Sequence, residues 1–298
     1  MHTRGFKLFL VLVVLACAAL LKFRSGNQKP FAAADTLPDV FIVVLGVAQD
    51  AGYPQIGCDK ACCDAYWKGK EEKKLVTCLA LVDRLSGKYW LIDATPDITV
   101  QLKNLQAFLP VKPDYSPDGI FLTHAHTGHY TGLLQLGREA MGTNGIPVYA
   151  MSRMDSFLRN NGPWNQLVQL KNITLNGLKE DSLLNLTGQL SITPWKVPHR
   201  DEYSETIGFI INSGIKKILF IPDIDKWEKW NRDIKDLVRD FSVVLIDGTF
   251  YKDGELPGRN MKEVPHPFVE ETARLMAALP DSVKAKVHFI HFNHTNPL

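Results

Sequence analysis

The sequence predicts a mixed α/β fold, and three observations support that prediction. Short apolar runs typical of buried strands recur along the chain, stretches with helical spacing separate them, and 45% of the 298 residues are hydrophobic. This length and composition suffice for a buried core. Length alone allows about two domains at ~150 residues each, but neither a linker nor a repeat divides the sequence, so we expect one domain over residues 35–298.

The first 34 residues are expected to lie outside that domain, as a signal peptide or membrane anchor. Basic residues precede an apolar run of 14 residues from Leu8 to Leu21, which is shorter than the ~20 residues of a membrane-spanning helix. Cleavage after the alanines at 32–34, lipid attachment at Cys17 and retention as an anchor all stay open, and a buried helix of a cytosolic protein is the alternative. We expect an exported protein, either periplasmic or anchored to the membrane and facing away from the cytoplasm.

Strands and helices are expected to alternate from Asp39 onward. The first strand is a continuous apolar run, and the next two form a hairpin through Ser86 and Gly87. Later apolar runs predict further strands, and apolar residues three and four apart predict helices. The expected strands are 40–45, 79–83, 89–92, 119–123, 190–196, 207–212, 217–221, 243–246 and 287–290, and the expected helices are 98–108, 227–238 and 268–279.

The charge of the chain is nearly balanced. The formal net charge is +2, and 22% of the residues are charged. So small an excess argues against a nucleic-acid-binding surface and against a strongly anionic partner. We therefore expect a small-molecule substrate and no nucleic acid, while the sequence does not indicate an oligomeric state.

Three histidines lie within six residues, directly after the apolar run that begins at Gly119. They are His124, His126 and His129, in a chain that holds nine histidines. Imidazole is a common metal ligand, and two rings separated by one residue at the end of a strand can converge on one ion. This spacing predicts a metal site.

The stretch Thr123-His-Ala-His-Thr-Gly-His129 resembles the Thr-His-x-His-x-Asp-His motif of the metallo-β-lactamase superfamily. The resemblance implies the four-layer αββα sandwich of that superfamily, whereas the periodicity alone indicates only the mixed α/β class. Gly128 stands where the motif has aspartate. Since glycine offers no ligand, we expect one firmly bound catalytic metal and a weaker second site.

The resemblance implies further active-site residues downstream. His199, which precedes a predicted strand, would complete a three-histidine site with His124 and His126 and leave one coordination position open. Asp223, at the end of an apolar run, resembles the metal-bridging aspartate. Asp93 also follows an apolar run and resembles an aspartate that supports the metal-binding loop through hydrogen bonds; a turn-capping aspartate is the alternative.

Three of the five cysteines lie within six residues, at Cys58, Cys62 and Cys63. Such a cluster can bind zinc as thiolates, with a fourth ligand from elsewhere. The alternative is a disulfide, which an exported protein permits between Cys58 and one of its two neighbours or Cys78, or free thiols. The sequence alone leaves both alternatives open.

The loop that begins at Gly46 and the cysteines after it resemble the coenzyme PQQ synthesis protein B branch of the superfamily. The cysteine cluster is also similar to that of the carbon–phosphorus-lyase phosphodiesterases, which bind a structural zinc. In those relatives the first histidine of a His-x-x-His near the end of the chain binds the active-site metal, and the second binds the structural zinc. The resemblance therefore implies that His291 binds the active-site metal together with His129, and that His294 completes the zinc site of the cysteines.

Two more residues are expected near the active site. Asp247, in the turn Asp-Gly-Thr-Phe, resembles a turn of the PQQ branch, and its carboxylate could partly replace the side chain missing at Gly128. His266 resembles the phosphodiesterase histidine that protonates the leaving oxygen. Capping of its own helix is the alternative role for His266.

These resemblances together imply a zinc hydrolase with His266, Asp223 and Asp93 as its catalytic set. A metal in the histidine site would lower the pKa of a bound water from ~15.7 towards ~7, and the resulting hydroxide would attack a phosphodiester or another small ester-like substrate. We expect one catalytic zinc, a weaker second metal and one structural zinc. Two alternatives stay open: an iron-dependent oxidoreductase or oxygenase in quinone-cofactor biosynthesis, which the PQQ branch implies, and a non-catalytic metal-bearing binding or carrier protein, which Gly128 would allow.

Overall fold

The computed structural model describes residues 37–109 and 115–298. Within these ranges the strands form two six-stranded sheets. The first sheet contains, in spatial order, β1 (Val40–Gly46), β2 (Cys78–Asp83), β3 (Lys88–Ile92), β4 (Gly119–Phe121), β5 (Ile146–Ala150) and β6 (Ile173–Gly177). The second contains β7 (Leu184–Asn185), β8 (Ser191–Lys196), β9 (Ile207–Asn212), β10 (Lys217–Ile221), β11 (Val243–Asp247) and β12 (Val287–Ile290), in the same spatial order as in the chain.

The helices of the described residues are short. They are α1 (Ala61–Trp67), α2 (Ile98–Leu105), α3 (Thr127–Tyr130), α4 (Ser152–Asn160), α5 (Trp164–Gln169), α6 (Ile234–Leu237), α7 (Val269–Leu275) and α8 (Asp281–Lys284). Apolar residues of α2, α4 and α5 pack on the outer face of the first sheet and those of α6 and α7 on the outer face of the second, which gives each sheet a second buried face.

Strand β2 shows how the layers are built. Successive side chains of a strand point to opposite faces of the sheet. Leu79 and Leu81 lie in the core between the sheets together with Phe209 of β9, whereas Val82 lies in the core between the first sheet and its helices, with Leu102 of α2. All six residues of β2 are therefore buried, as expected for a strand covered on both faces.

A third core covers the outer face of the second sheet. It joins Leu219 of β10 and Val244 of β11 to Trp227, Ile234 and Met276 from the helical segments. The order of layers is helices, sheet, sheet, helices. This confirms the predicted αββα sandwich, and most of the predicted strands lie where the sequence indicates them.

The predicted helix over residues 227–238 is wrong. The segment contains a 3-10 turn at Trp227–Lys229, the separate helix α6, and another 3-10 turn that begins at Val238. The backbone of Trp230 is extended, and its indole N–H donates to the carbonyl of Lys196 at 2.9 Å. A new helix then begins because the side chain of Asp233 caps it by accepting from the backbone N–H of Lys235. The predicted helix over 268–279 is also shorter, since α7 ends at Leu275.

The sequence analysis missed the elements between residues 146 and 177. Strand β5 contains Pro147, a residue that argues against a strand in the middle of a sheet, yet β5 pairs in parallel with both β4 and β6. Helices α4 and α5 follow it and are only 9 and 6 residues long. Such short elements give little periodicity to recognise.

The topology brings the ends of several strands to one edge of the sandwich. Strands β3 and β4 run parallel in the first sheet, and β10, β11 and β12 run parallel in the second. Their carboxyl ends are followed by Asp93, His124, Asp223 and His291, while Asp247 ends β11. Because parallel strands end at the same edge, residues far apart in sequence meet there.

The predicted leader over residues 1–34 lies outside the described residues, as does residue 35 at the predicted domain start. Among the described residues, no helix combines the length and the apolar character needed to cross a membrane. Export therefore stays a prediction.

Candidate metal centre

The three-histidine motif follows β4 and consists of an extended segment and then a helical turn. His126 is extended and precedes the first residue of α3, so that His124 and His126 project from an extended segment and His129 from the helical turn. His124 and His129 are buried, with 2% and 0% of their surface exposed. The change from strand to helix within six residues is what brings three rings to one place.

Asp93 holds this segment without facing its centre. It adopts a left-handed backbone (φ +70°) and is fully buried. Its carboxylate accepts the backbone N–H of Thr123 at 2.8 Å, the hydroxyl of Thr123 at 2.9 Å and Nδ1 of His129 at 2.7 Å. The bond to Nδ1 leaves Nε2 of His129 free to face the centre. This geometry suits the supporting aspartate that the sequence predicts rather than a turn-capping one.

One candidate metal site is formed by His124, His126 and His199. One ring nitrogen of each lies within 4.8 Å of the others. His199 follows β8, and neither of its ring nitrogens has a hydrogen-bond partner. Asp223 lies next to this group, with Oδ1 3.7 Å from Nε2 of His199 and Oδ2 3.5 Å from Nε2 of His124.

A second candidate site shares Asp223 and adds His129, His291 and Asp50. Oδ2 of Asp223 lies 3.0 Å from Nε2 of His129 and 3.2 Å from Nε2 of His291. Oδ1 of Asp50 lies 2.8 Å from Nε2 of His129 and 3.5 Å from Nε2 of His291. The carboxylate of Asp223 thus stands between the two sites, as the resemblance implies for a bridging aspartate.

Asp50 is the site residue that the sequence analysis missed. It lies in the loop between β1 and α1. The signal was present, because Asp50 is the only acidic residue between Val40 and Cys58, within the stretch that resembles the PQQ branch. No local spacing linked it to the histidines.

Asp247 orients two histidines at the edge of the site. Its Oδ2 accepts Nδ1 of His266 at 2.7 Å, and its Oδ1 accepts the hydroxyl of Thr249 at 2.7 Å. Oγ1 of Thr249 in turn lies 2.9 Å from Nδ1 of His291. The expectation that Asp247 replaces the side chain missing at Gly128 is wrong, since Asp50 occupies that space.

His266 lies beside the first candidate site, within the group of His199 and Asp223. Its Nδ1 is 3.4 Å from Oδ1 of Asp223. The alternative role as a helix cap is wrong, because α7 begins at Val269 and the side chain of Glu271 accepts the backbone N–H of Phe268 at 2.9 Å.

Buried polar atoms without hydrogen-bond partners accumulate at this centre. A buried polar atom without a partner costs about 1–3 kcal/mol, so such atoms are rare and a cluster of them indicates a ligand. The atoms without a hydrogen bond of acceptable geometry, although some lie 2.8–3.2 Å from one another, are Oδ1 of Asp50, Oδ2 of Asp223, Nε2 of His124, His129 and His291, and both ring nitrogens of His199. This set of nitrogen and oxygen donors fits a zinc-type or iron-type metal ion.

The cysteines form a separate candidate site with His294. Sγ of Cys62 and Sγ of Cys63 lie 3.5 and 3.4 Å from Nδ1 of His294, and Sγ of Cys58 lies 3.6 Å from Sγ of Cys62. Zinc–sulfur bonds of ~2.3 Å in a tetrahedron separate the sulfur atoms by ~3.8 Å, whereas a disulfide requires ~2.05 Å. All four described cysteines are free. The disulfide alternative is therefore wrong. Cys58, Cys62, Cys63 and His294 fit one zinc ion.

Comparison with known proteins agrees with the fold. Residues 89–292 match the family described as "Beta-lactamase superfamily domain". The chain belongs to the β-lactamase superfamily. Within this superfamily it is similar to "Coenzyme PQQ synthesis protein B" of Acinetobacter baumannii, with 27% identity over 86% of the chain and 90% of the relative, and to that of Methylobacillus flagellatus, with 28% identity and the same coverage.

Two solved structures show the same superfamily fold. Zinc-bound PqqB from Methylobacterium extorquens superimposes with a TM-score of 0.71 at 22% identity, over 86% of this chain and 90% of that one. A diphosphatase of the PhnP family superimposes with a TM-score of 0.62 at 21% identity, over 87% and 88%. The resemblance to both branches, predicted from the loop that begins at Gly46 and from the cysteine cluster, is confirmed.

The histidines of the metal centre differ in the direction in which their pKa is shifted. Burial lowers the pKa of His124 well below its usual value and that of His199 to about 4, which leaves both rings neutral and able to bind a metal at pH 7. Burial acts in the same direction on His129, but the carboxylates of Asp93 and Asp50 outweigh it and raise its pKa well above the usual value. A metal that binds His129 must therefore displace a proton.

The centre opens to solvent on the side of His126. Nε2 of His126 lies 3.3 Å from Oε2 of Glu202 and 3.2 Å from Nη2 of Arg200. Beyond Glu202 runs an open groove of about 300 Å³, lined by Arg153, Ser156, Phe157, Asn160, Asn161 and Tyr203. Its mixture of polar and aromatic side chains suits a small molecule with a polar reacting group.

Proposed function

We propose that this chain is a metal-dependent hydrolase of a phosphodiester or another small ester-like substrate. The observation that supports the proposal is the cluster of buried ligand atoms without partners, placed beside a histidine whose geometry suits proton transfer. His124, His126 and His199 would hold one metal, and Asp223 would contact it. Zinc, when bound, polarises an ester oxygen and makes water nucleophilic at neutral pH.

His266 supplies the second half of the chemistry. Burial disfavours its charged form, but the neighbouring carboxylate of Asp247 outweighs burial and raises the pKa of His266. The protonated form of the ring is therefore favoured, and Nδ1 is engaged by Asp247 at 2.7 Å. Nε2 remains to donate a proton to the leaving oxygen, as a general acid does.

The superfamily contains hydrolases of phosphorus esters. One structural neighbour is named a diphosphatase of the PhnP family and another is human tRNase Z, which superimposes with a TM-score of 0.55. The open groove beside Glu202 is small, and the formal net charge of the chain is only +2. We therefore propose a small substrate rather than a nucleic acid.

A second candidate function is an iron-dependent oxidoreductase in quinone-cofactor biosynthesis. It is favoured by the sequence relatives named "Coenzyme PQQ synthesis protein B". The donor set of imidazoles and carboxylates accommodates iron as well as zinc. Metal identity separates the two candidates.

The test combines elemental analysis with an ester assay. The protein is purified without added metal, its zinc and iron are counted, and turnover of bis(p-nitrophenyl) phosphate is measured after loading with each metal. Zinc with turnover supports the hydrolase. Iron with oxygen uptake and no ester turnover supports the second candidate, and metal without either activity would contradict both and favour a carrier.

A matched pair of variants links turnover to the site. His199→Gln removes a proposed ligand and is expected to abolish turnover and lower the zinc content. His288→Gln changes an exposed histidine of β12 and is expected to leave both unchanged. Equal turnover in the two variants would contradict the proposed site.

A further inference from the structure

We propose that Asp50 is the metal ligand that replaces the aspartate missing at position 128, and that Gly128 is the opening that admits it. The motif after β4 would then have exchanged a ligand with the loop after β1, and the second metal site would be complete. This inference rests on the metal centre of the proposed function but not on hydrolysis.

The first support is steric. A Cβ atom placed on Gly128 would lie 2.4 Å from Cα of Asp50, 2.6 Å from its Oδ1 and 2.9 Å from its Cβ. Real Cβ atoms do not approach backbone atoms so closely, so any side chain at position 128 would displace the loop of Asp50. The carboxylate of Asp50 thus lies where a side chain from position 128 would begin.

The second support is the set of donor atoms. Oδ1 of Asp50 is buried and has no hydrogen-bond partner with acceptable geometry, although it lies 2.8 Å from Nε2 of His129. With Asp223 and His291 it forms a set of two carboxylates and two imidazoles whose ligand atoms lie within 4.8 Å of one another. Without Asp50 only three of these four donors remain, which is the weak second site that Gly128 alone would predict.

The third support is the backbone that places Asp50. The N–H of Gln49 donates to the carbonyl of Phe292 at 2.9 Å, and the N–H of Phe292 donates to the carbonyl of Val47 at 2.7 Å. These bonds join the loop to the residue that follows His291. The loop and the histidine are therefore fixed to each other. The backbone hydrogen bonds, and not only the side-chain rotamer, place Asp50 at the site.

The experiment is a ligand exchange in the full chain, read by zinc binding. Zinc stoichiometry and affinity are measured for the native protein and for Asp50→Ala, Gly128→Asp and the double variant Asp50→Gly/Gly128→Asp. Asp50→Ala is expected to weaken one zinc per chain by about 100-fold or more, since even groups that only support ligands contribute ~10–100-fold. Gly128→Asp is expected to weaken the same zinc because the two side chains collide.

The double variant tests the exchange directly. It places one carboxylate at position 128 and removes the Cβ and the carboxylate of residue 50, whereas Cα of residue 50, 2.4 Å from the Cβ placed at position 128, remains. The loop must therefore shift, and the double variant should recover part of the zinc affinity that either single variant loses. Asp59→Ala, which changes an exposed aspartate further along the same loop, is the control and should bind zinc as the native chain does. Recovery also shows that the losses did not come from unfolding.

Two results would overturn the inference. The first is an Asp50→Ala protein with native zinc stoichiometry and affinity. The second is an Asp59→Ala protein that loses the same zinc as Asp50→Ala, because the loss would then not be specific to the carboxylate of Asp50. Full zinc loading of the native centre without turnover of any ester would instead contradict the proposed hydrolase and leave the ligand exchange standing.

Discussion

Replacement of Asp93 by alanine is expected to weaken both the fold and the metal centre. The change removes the acceptor of three hydrogen bonds, from the backbone N–H of Thr123, from its hydroxyl and from Nδ1 of His129. The hydroxyl can turn to another acceptor, but the two N–H groups stay buried. At about 1–3 kcal/mol for each unpaired group, the metal-free protein should lose about 2–6 kcal/mol, a large share of a typical ~5–15 kcal/mol.

The same change should lower zinc affinity about 10–100-fold, because His129 loses the partner that fixes its ring. Urea unfolding of the metal-free protein measures the first effect, and competition with a chelator measures the second. Asp93→Asn keeps one acceptor and tolerates the left-handed backbone, so it should give intermediate values for both. Asp155→Ala, in an exposed ion pair with Arg159, is the control and should change stability by less than ~1 kcal/mol. An Asp93→Ala protein that matches this control in stability and zinc affinity would refute the supporting role.

Three further predictions follow from the site. His266→Gln should lower kcat about 10²–10⁴-fold for esters with alkoxide leaving groups but far less for p-nitrophenyl esters, which leave without a proton; equal losses for both would contradict a general acid. Zinc binding at pH 7 should release protons, because His129 and Cys63 are both protonated without metal. The pKa of His129 is raised well above its usual value, and burial raises the pKa of the Cys63 thiol to about 11. Release from His129 should fall as pH rises through its pKa; calorimetry in two buffers of different ionisation enthalpy measures it, and equal heats would contradict it. Cys63→Ser should remove about one zinc per chain and lower Tm by roughly 5–10 °C, if the zinc link contributes ~3 kcal/mol; an unchanged zinc content would exclude Cys63 as a ligand.

The local part of the site could be predicted because its geometry is local. His124 and His126 are separated by one residue on an extended segment, and His129 follows one helical turn later, so their spacing already indicates convergence. His199 and His291 carry no such signal. They were predicted only through resemblance to a family whose topology brings distant strand ends together.

Asp50 shows where this reasoning ends. It lies 78 residues before Gly128 in the chain, and its position depends on hydrogen bonds between the loop after β1 and the segment after β12. No periodicity or motif encodes that contact. The sequence therefore predicted that position 128 lacks a ligand but not that Asp50 lies in the space beside it.

The wrong and missed predictions of secondary structure have the same kind of cause. The segment 227–238 has helical spacing, but a tertiary hydrogen bond from Trp230 to Lys196 holds its middle extended. Strand β5 was missed because Pro147 weakens the local signal, while pairing with strands on both sides stabilises it. In both cases contacts distant in sequence outweigh local preference.

The short segment after β12 contributes one ligand to the second metal site and one to the cysteine site. His291 and His294 are three residues apart, and one belongs to each site. Their partners Asp50 and Cys58 lie on one loop near the start of the domain in sequence. A zinc ion bound by Cys58 and His294 would therefore cross-link a chain segment of more than 200 residues. Neither site can form until the ribosome has synthesised β12 and the turn that follows it. Loading of these two sites therefore follows the synthesis of β12, whereas the ligands of the first site all precede that strand.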